Sequence, residues 1–242
     1  MRAKRGFATR SEGDRGARAE ASRPPSDRYL ATVERMLRSQ AYRERGAAEL
    51  FQAALPLAPD ARWRAVLEGH VAEEREHYAG VRSLWARTFA KPEADLDAWV
   101  TARLAERPLP SVTSWLELAM ALFLFDRAGR WQLSEYLQSS FEPYRDLVRE
   151  IVEDELGHED AGAQLVVTLC NAPGTDRAAA QAAFDRWLDV SLLSFGHAGG
   201  EGNAFAIAAG LKTRDSSEVT RDFLNDVAMT AAPAGLAHGR DS

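Results

Sequence analysis

Two histidines in this chain each follow a glutamate by three residues. Glu74 and His77 lie in VAEEREHYAG, and Glu155 and His158 lie in VEDELGHEDAG. Residues three apart are neighbours on one face of a helix, so the two side chains of each pair can bind the same metal ion. With five histidines in 242 residues, fewer than one such pair is expected by chance. The repeated spacing therefore indicates the two halves of one metal site.

A carboxylate from a third helix should face Glu155. In an antiparallel helix pair, residues equidistant from the turn lie at the same height, and a turn near residue 141 places Asp126 level with Glu155. Glu135 lies closer to that turn, and at about 100° per residue it faces the opposite side of the helix from Asp126. Asp126 also ends the apolar run LELAMALFLF, where an unpaired buried carboxylate would cost several kcal/mol. We therefore predict Asp126 as a ligand, the alternative being an aspartate at a helix end that faces water.

The first helix offers two candidate carboxylates, Glu44 and Glu49. Glu44 falls within the apolar stripe, about 20° from Phe51, whereas Glu49 lies about 160° away from Phe51. Thirty residues separate Glu44 from the first glutamate–histidine pair, and 29 separate Asp126 from the second. Both halves thus read as a carboxylate followed by a glutamate–histidine pair. Glu44 is the predicted ligand, and Glu49 is the alternative if the helix bends.

Each glutamate–histidine pair is preceded by a further acidic residue. Glu73 and Asp154 are placed to accept a hydrogen bond from the ligating histidine of the opposite half, although exposed surface carboxylates would show the same pattern. His70 lies two turns from His77 and is expected to be a hydrogen-bonding or surface residue instead of a ligand. We expect the remaining acidic residues of the second motif to face solvent, namely Glu153, Glu159 and Asp160.

Four carboxylates and two imidazoles suit two first-row metal ions. Zinc sites are usually closed and four-coordinate, so a pair of iron ions is expected here, with manganese as the alternative. Four carboxylates balance the charge of two divalent ions, and open coordination positions would admit O2. The residues thus predict a site for O2 chemistry that needs an external electron donor.

The elements that must position these residues are helical nearly throughout. Apolar residues recur every three or four positions, prolines mark the helix ends, and the alternation typical of strands is missing. We predict an all-α bundle of four long helices with additional C-terminal helices. The predicted helices cover about 30–55, 61–89, 93–106, 114–140, 143–169 and 178–194, followed by two weaker ones.

Composition limits the class of protein further. The net charge of −6 argues against nucleic-acid binding, and no apolar stretch is long enough to span a membrane. The single cysteine, Cys170, fits a reducing cytoplasmic setting. Residues 1–26 carry a charge of +4 and are predicted to form a basic disordered tail. The metal-binding helical domain is predicted over 27–237, followed by a loose C-terminus over 238–242.

From about Asp27 to Leu236 the chain resembles the ferritin-like phenylacetic-acid catabolic di-iron oxygenases, the family that includes the catalytic subunit of phenylacetyl-CoA epoxidase. The segments that carry the resemblance are DRYL, EEREH, SWLELAMALFLFDRAGRWQL, FEPYRDLVREIVEDELGH, DRWLDVSLLSFG and LKTRDSSEVTRDFLNDV. The resemblance implies a ferritin-like fold. It also implies that the di-iron ligands are Glu44, Glu74, His77, Asp126, Glu155 and His158.

The resulting hypothesis is a non-haem di-iron monooxygenase that hydroxylates or epoxidises an organic substrate. The substrate would be a small molecule or a carrier-bound one, electrons would come from a reductase, and a homodimer or a partner subunit is the expected assembly. Leu122, Phe125, Trp131 and the SFGHAGG segment are candidates to line an apolar substrate pocket. The alternatives are a rubrerythrin-like oxidase, a tRNA hydroxylase, an iron-storage protein and a non-catalytic scaffold subunit.

Overall fold

A computed structural model describes residues 25–239, and within this range the chain is helical without any strand. The all-α class predicted from the sequence is confirmed. The predicted tail over 1–26 and the predicted loose end over 238–242 lie mostly outside the described residues. The helices are α1 (Asp27–Ala54), α2 (Ala61–Phe89), α3 (Glu93–Glu106), α4 (Trp115–Ala121), α5 (Arg127–Ser134), α6 (Glu142–Cys170), α7 (Arg177–Leu192), α8 (Glu201–Ala208) and α9 (Ser216–Ala231).

Helices α1 and α2 form a long hairpin. The hydroxyl of Ser26 accepts a hydrogen bond from the backbone N–H of Tyr29 and caps the start of α1. Pro56 lies in the 3-10 turn that ends the helix, and the carboxylate of Asp60 accepts from the N–H of Trp63 to start α2. These local signals bring the two helices back alongside each other over most of their length.

The second hairpin is interrupted by an unusual turn. Between α4 and α5, residues Leu122–Asp126 form one turn of π-helix, so the three segments make one continuous helix from Trp115 to Ser134. Gly162 of α6 packs against this turn, and a Cβ atom at Gly162 would lie 2.5 Å from the backbone nitrogen of Phe123. Helix α6 therefore approaches the π turn as closely as a glycine allows.

Buried apolar side chains form two clusters around these hairpins. The larger contains Phe51, Phe123 and Trp187 and draws on α4, the π turn, α7 and α9. The smaller contains Trp85 and Tyr144 and is built mainly from α1, α2, α3 and α6. The two hairpins are held by this packing, because helices of this kind gain most of their stability from buried faces.

The third long helix ends earlier than predicted. Its regular part stops at Ser134 instead of near residue 140, and a series of turns follows. Glu135 turns toward the segment before α9, where its carboxylate accepts hydrogen bonds from the Thr213 hydroxyl and from the backbone and side chain of Arg214. These long-range contacts compete with continuation of the helix. Among the described residues, no helix is both long and apolar enough to cross a membrane.

Candidate metal centre

The structure brings together the six residues predicted as ligands. Glu44 comes from the middle of α1, Asp126 is the last residue of the π turn, and the two glutamate–histidine pairs come from α2 and α6. All six side chains are buried: Glu44, Glu74, His77, Asp126, Glu155 and His158. Such burial of four carboxylates in one place requires a compensating interaction.

The ligand atoms form two groups that share a residue. One oxygen or nitrogen from each of Glu44, Glu74, His77 and Glu155 lies within 4.8 Å of the others. A second group with the same spacing contains Asp126, Glu155 and His158. Glu155 belongs to both groups, and an oxygen of Glu74 lies 3.7 Å from Nδ1 of His158. The two halves are therefore close enough for both glutamates to contribute to two adjacent metal positions.

Each histidine is fixed by an acidic residue of the opposite half. Nε2 of His77 lies 3.0 Å from Oδ2 of Asp154, and Nε2 of His158 lies 2.6 Å from Oε2 of Glu73. These are the crossed hydrogen bonds expected from the sequence. A proton held on Nε2 by a carboxylate leaves the lone pair of Nδ1 free, which is the arrangement of a metal-ligating imidazole.

Several buried atoms at the centre have no hydrogen-bond partner within residues 25–239. They are both carboxylate oxygens of Glu74, Oδ2 of Asp126, Oε2 of Glu155, and Nδ1 of His77 and of His158. A buried polar atom without a partner costs about 1–3 kcal/mol, and a charged one costs more. These atoms are oxygen and imidazole donors converging from α2, the π turn and α6, and metal ions would satisfy them. The donor set therefore fits two divalent ions.

Crowding of the carboxylates changes their protonation. Burial, together with the charges of neighbouring carboxylates, raises the pKa of Glu155 to about 8 and the pKa values of Glu74 and Asp126 well above their ordinary range. Without metal, the cluster thus keeps protons at neutral pH. Metal ions must displace these protons in order to bind.

The two ligand histidines differ in charge. Burial lowers the pKa of His77, but the Glu44 carboxylate 3.6 Å from its Nδ1 and the neighbouring Asp154 raise it to about 9. Burial and the charge of His77 lower the pKa of His158 to about 4. In the absence of metal, His77 is therefore the protonated partner of the carboxylates and His158 is neutral.

The candidate residues that were not chosen as ligands lie outside the cluster. Glu49 is exposed and pairs with Arg45 at 2.9 Å, and Glu135 pairs with Arg214 at 2.7 Å. His70 is buried and its ring lies 3.9 Å from that of His158, so it neighbours the cluster without joining either ligand group.

One expectation was wrong. Glu159 was expected to face solvent, but it is buried and pairs with Arg130 of α5 at 2.7 Å. It follows His158 directly, and the approach of α5 to α6 covers it. By contrast, Glu153 and Asp160 are exposed as predicted.

Sequence reasoning also missed Arg43, a buried cation next to Glu44. Its neighbours in the helical series, Gln40, Ala47 and Leu50, are buried as well. The amide of Gln40 donates to the carboxylate of Glu44. The position of Arg43 among residues that recur every three or four positions on the buried face of α1 was the signal that could have predicted its burial.

The residues proposed to line a substrate pocket differ in burial. Leu122 and Phe125 are buried, and Phe125 packs edge-on against Trp187. The indole N–H of Trp131 donates to Asp226 of α9 at 2.9 Å. In the SFGHAGG segment Phe195 packs against Phe223, whereas His197 is exposed. Their role in a pocket stays a prediction.

Comparison with known proteins identifies the family. A sequence profile described as "Phenylacetic acid catabolic protein" matches residues 93–240, which is more than half of the chain. The match includes Asp126 and the second glutamate–histidine pair, whereas the ligand candidates of α1 and α2 precede it. No match was found among curated proteins. On the strength of the profile match, the chain belongs to the phenylacetic acid catabolic protein family.

Proposed function

We propose that this protein is a non-haem di-iron monooxygenase that inserts one oxygen atom of O2 into an organic substrate by hydroxylation or epoxidation. The observation that carries the proposal is the buried cluster of four carboxylates and two imidazoles, in which five of the six described residues have an atom without a hydrogen-bond partner. Family membership agrees with it. Manganese is the alternative metal.

The charges of the cluster support two divalent ions. Four carboxylates balance two such ions, and each metal position has carboxylate oxygen together with one imidazole nitrogen. Two iron ions, when bound, supply O2 binding and the electrons that O2 reduction consumes. Glu44 and His77 would hold one ion and Asp126 and His158 the other, and Glu74 and Glu155 would contribute to both.

The protein's own residues orient these ligands and limit access of water. Glu73 and Asp154 keep the protons of the two imidazoles on Nε2 and so direct Nδ1 inward. The His70 ring lies 3.9 Å from the His158 ring, and Phe51 packs edge-on against His70 with ring centroids 6.2 Å apart. The Phe125 side chain is buried directly before Asp126. Such an apolar surrounding favours reaction with an organic substrate over loss of oxidant to water.

The proposal requires partners besides O2. Electrons must come from an external reductase, since the chain offers no second redox centre in its described residues beyond the metal cluster and one buried cysteine. The substrate is proposed to be a small or carrier-bound organic molecule, and the protein to act as a homodimer or with a partner subunit.

Metal content tests the site. Protein from iron-supplemented cells should contain about two iron ions per chain, and Asp126→Ala and His158→Ala should contain fewer because each loses one ligand of the second position. Glu153→Ala, at an exposed position of the same helix, is the matched control and should keep the wild-type content. Wild-type protein with fewer than two ions, or unaltered content in both ligand variants, would refute the ligand assignment.

Reaction with O2 tests the activity. The reduced, iron-loaded protein should consume O2 and yield substrate containing one atom from labelled O2 when candidate aromatic substrates are present. Size-exclusion chromatography should show a small oligomer, because iron-storage proteins of the ferritin type form closed shells. Rapid iron oxidation in a large shell without product would favour storage, and no reaction with O2 would favour a scaffold subunit.

A further inference from the structure

Arg43 is a buried arginine that forms no ion pair with a carboxylate among the residues that the structure describes. Its side chain is 7% exposed. One guanidinium nitrogen, Nη2, donates to the backbone carbonyl of Phe125 at 3.2 Å, and the guanidinium lies 4.8 Å from the centre of the Phe125 ring. The other terminal nitrogen, Nη1, is buried and has no hydrogen-bond partner in the described part of the chain. A backbone carbonyl and an aromatic face stabilise a cation, but they do not neutralise it.

The guanidinium lies beside the half of the cluster that contains Asp126. Gly129 makes room for it, because a Cβ atom at this position would collide with Nη2. The position of that Cβ atom also lies 3.7 Å from Oε1 of Glu155. The Arg43 guanidinium therefore lies close to the Glu155 carboxylate and to the backbone directly before Asp126.

With two divalent ions bound, this cation would still lack a counter-charge of its own. Two divalent ions use the charge of the four carboxylates in the cluster, and the ligand imidazoles are neutral when they bind metal. Glu159, the other buried acid nearby, already pairs with Arg130. Glu73 and Asp154 are about half exposed and lie on the Nε2 side of the imidazoles, where solvent screens their charge. Removing one partner from a buried charge is costly, so the loaded centre should attract an anion.

We propose that Arg43 holds a carboxylate anion at the metal centre, using the free N–H groups of its guanidinium. The inference rests on the proposed function, because it requires two divalent ions in the cluster. Arginine suits this role since its planar guanidinium can donate two parallel hydrogen bonds to one carboxylate. The anion is either a free carboxylate or the carboxylate of an organic substrate.

The test uses full-length protein loaded with Co2+, whose visible absorption reports changes at the metals. Metal content is measured first, and acetate and benzoate are then titrated into wild type, Arg43→Gln, Arg43→Lys and Arg38→Gln. Arg38 is the matched control because it lies on the same helix and stacks on aromatic rings, but pairs with Glu34 at 3.0 Å. We expect Arg43→Gln to keep two ions per chain and to bind acetate about tenfold to hundredfold more weakly.

The expected order separates the charge from the shape of the side chain. Arg43→Lys should bind acetate with intermediate affinity, and Arg38→Gln should match wild type. Benzoate binding tighter than acetate, with the same dependence on Arg43, would assign the carboxylate to a substrate, whereas equal affinities would assign it to a free anion. Equal acetate affinity in wild type and Arg43→Gln, or loss of metal from both Arg43 variants, would overturn the proposal. Failure of wild type to bind two Co2+ ions would instead refute the metal site.

Discussion

At the scale of single residues, the crossed pairing of acids and histidines distinguishes this cluster from an ordinary acidic surface. Asp154 belongs to the same half as His158 but accepts from His77, and Glu73 of the other half accepts from His158. Each helix thus fixes the imidazole supplied by its neighbour. The two glutamate–histidine pairs depend on each other for the direction of Nδ1, which makes the centre a single unit.

Replacing Asp154 by alanine should weaken metal binding although Asp154 is not a proposed ligand. The imidazole of His77 would lose the acceptor that holds its proton on Nε2, and such losses lower metal affinity about tenfold to hundredfold. Competition with a chromophoric chelator measures the affinity. Glu153→Ala, one residue earlier and exposed, provides the control and should bind metal as wild type does. Identical affinities for both variants would contradict the orienting role.

Residue spacing predicted much of this cluster because helical periodicity converts sequence distance into direction. Glu44 was chosen over Glu49 because of its angle around α1. Asp126 was chosen over Glu135 because of its distance from the turn and its angle around the third long helix. Glu159 could not be placed in the same way, because its burial depends on Arg130 of a neighbouring helix. Arg43 was missed because arginines are usually exposed and nothing local predicts the carbonyl of Phe125 as its partner.

At the scale of elements, the π turn and two glycines place Asp126. The turn over Leu122–Asp126 inserts an extra residue into the helix, and such turns occur frequently at functional sites. Gly162 lets α6 approach the turn, and Gly129 leaves space for Arg43. The position of Asp126 is therefore set by backbone contacts as well as by its own side chain.

Gly162→Ala should displace the π turn and lower both stability and metal content. The added Cβ atom would lie 2.5 Å from the nitrogen of Phe123, which no side-chain rotation relieves. Overpacking of this kind costs about 1–3 kcal/mol in the free energy of unfolding. Urea denaturation and metal analysis measure the two effects.

Gly157→Ala is the control for this change. Gly157 lies on the same helix, and an added Cβ atom there meets nothing within 4 Å. Alanine should therefore stabilise the protein by about 0.5–1 kcal/mol, since it favours helix more than glycine does. If Gly162→Ala behaved like Gly157→Ala, close packing of α6 against the π turn would be refuted.

The sequence predicted where helices lie better than it predicted where they are interrupted. The bounds of α2 and α3 agree with the prediction because Asp60 and the flanking prolines provide local signals. The π turn has no comparable sequence signature, since LFLFD reads as a regular buried helix. The early end of α5 depends on Glu135 binding Arg214, a contact between residues 79 positions apart. Such interruptions arise from tertiary contacts that periodicity does not contain.

At the scale of the whole molecule, the C-terminal part is tied to the helix that carries Asp126. Asp226 of α9 accepts hydrogen bonds from Arg127 at 2.6 Å and from Trp131 at 2.9 Å. Arg130 reaches the same carboxylate at 3.5 Å and also binds Glu159 of α6. Through these contacts α9 supports the two helices that form the second half of the cluster. The centre is therefore a product of the complete bundle and not of the four ligand helices alone.

The stability of the metal-free protein should fall as pH rises from 7 to 8.5. In the folded protein the pKa of Glu155 is about 8 against an ordinary value of 4.5, so the folded state retains a proton that the unfolded state has lost. Stability then decreases with rising pH until the folded carboxyl also ionises. His77, with a pKa of about 9 against 6.5, acts in the same direction because its stabilising charge is lost as pH passes through 9. The lowered pKa values of His70 and His158 act at acid pH, below about 6.5, and leave this window unaffected.

Metal binding should remove this dependence, because ions replace the protons of the cluster. Urea denaturation at pH 7 and 8.5, with a chelator or with saturating metal, compares the two forms of the same protein. The gain in unfolding free energy on adding metal should be larger at pH 8.5, where carboxylate repulsion in the metal-free cluster is greater. If the metal-free protein were equally stable at both pH values, the buried carboxylates would not share protons as the structure indicates. The charges of the buried carboxylates would then already be balanced in the absence of metal. In that case the buried oxygen and nitrogen atoms without hydrogen-bond partners would not be what favours metal binding.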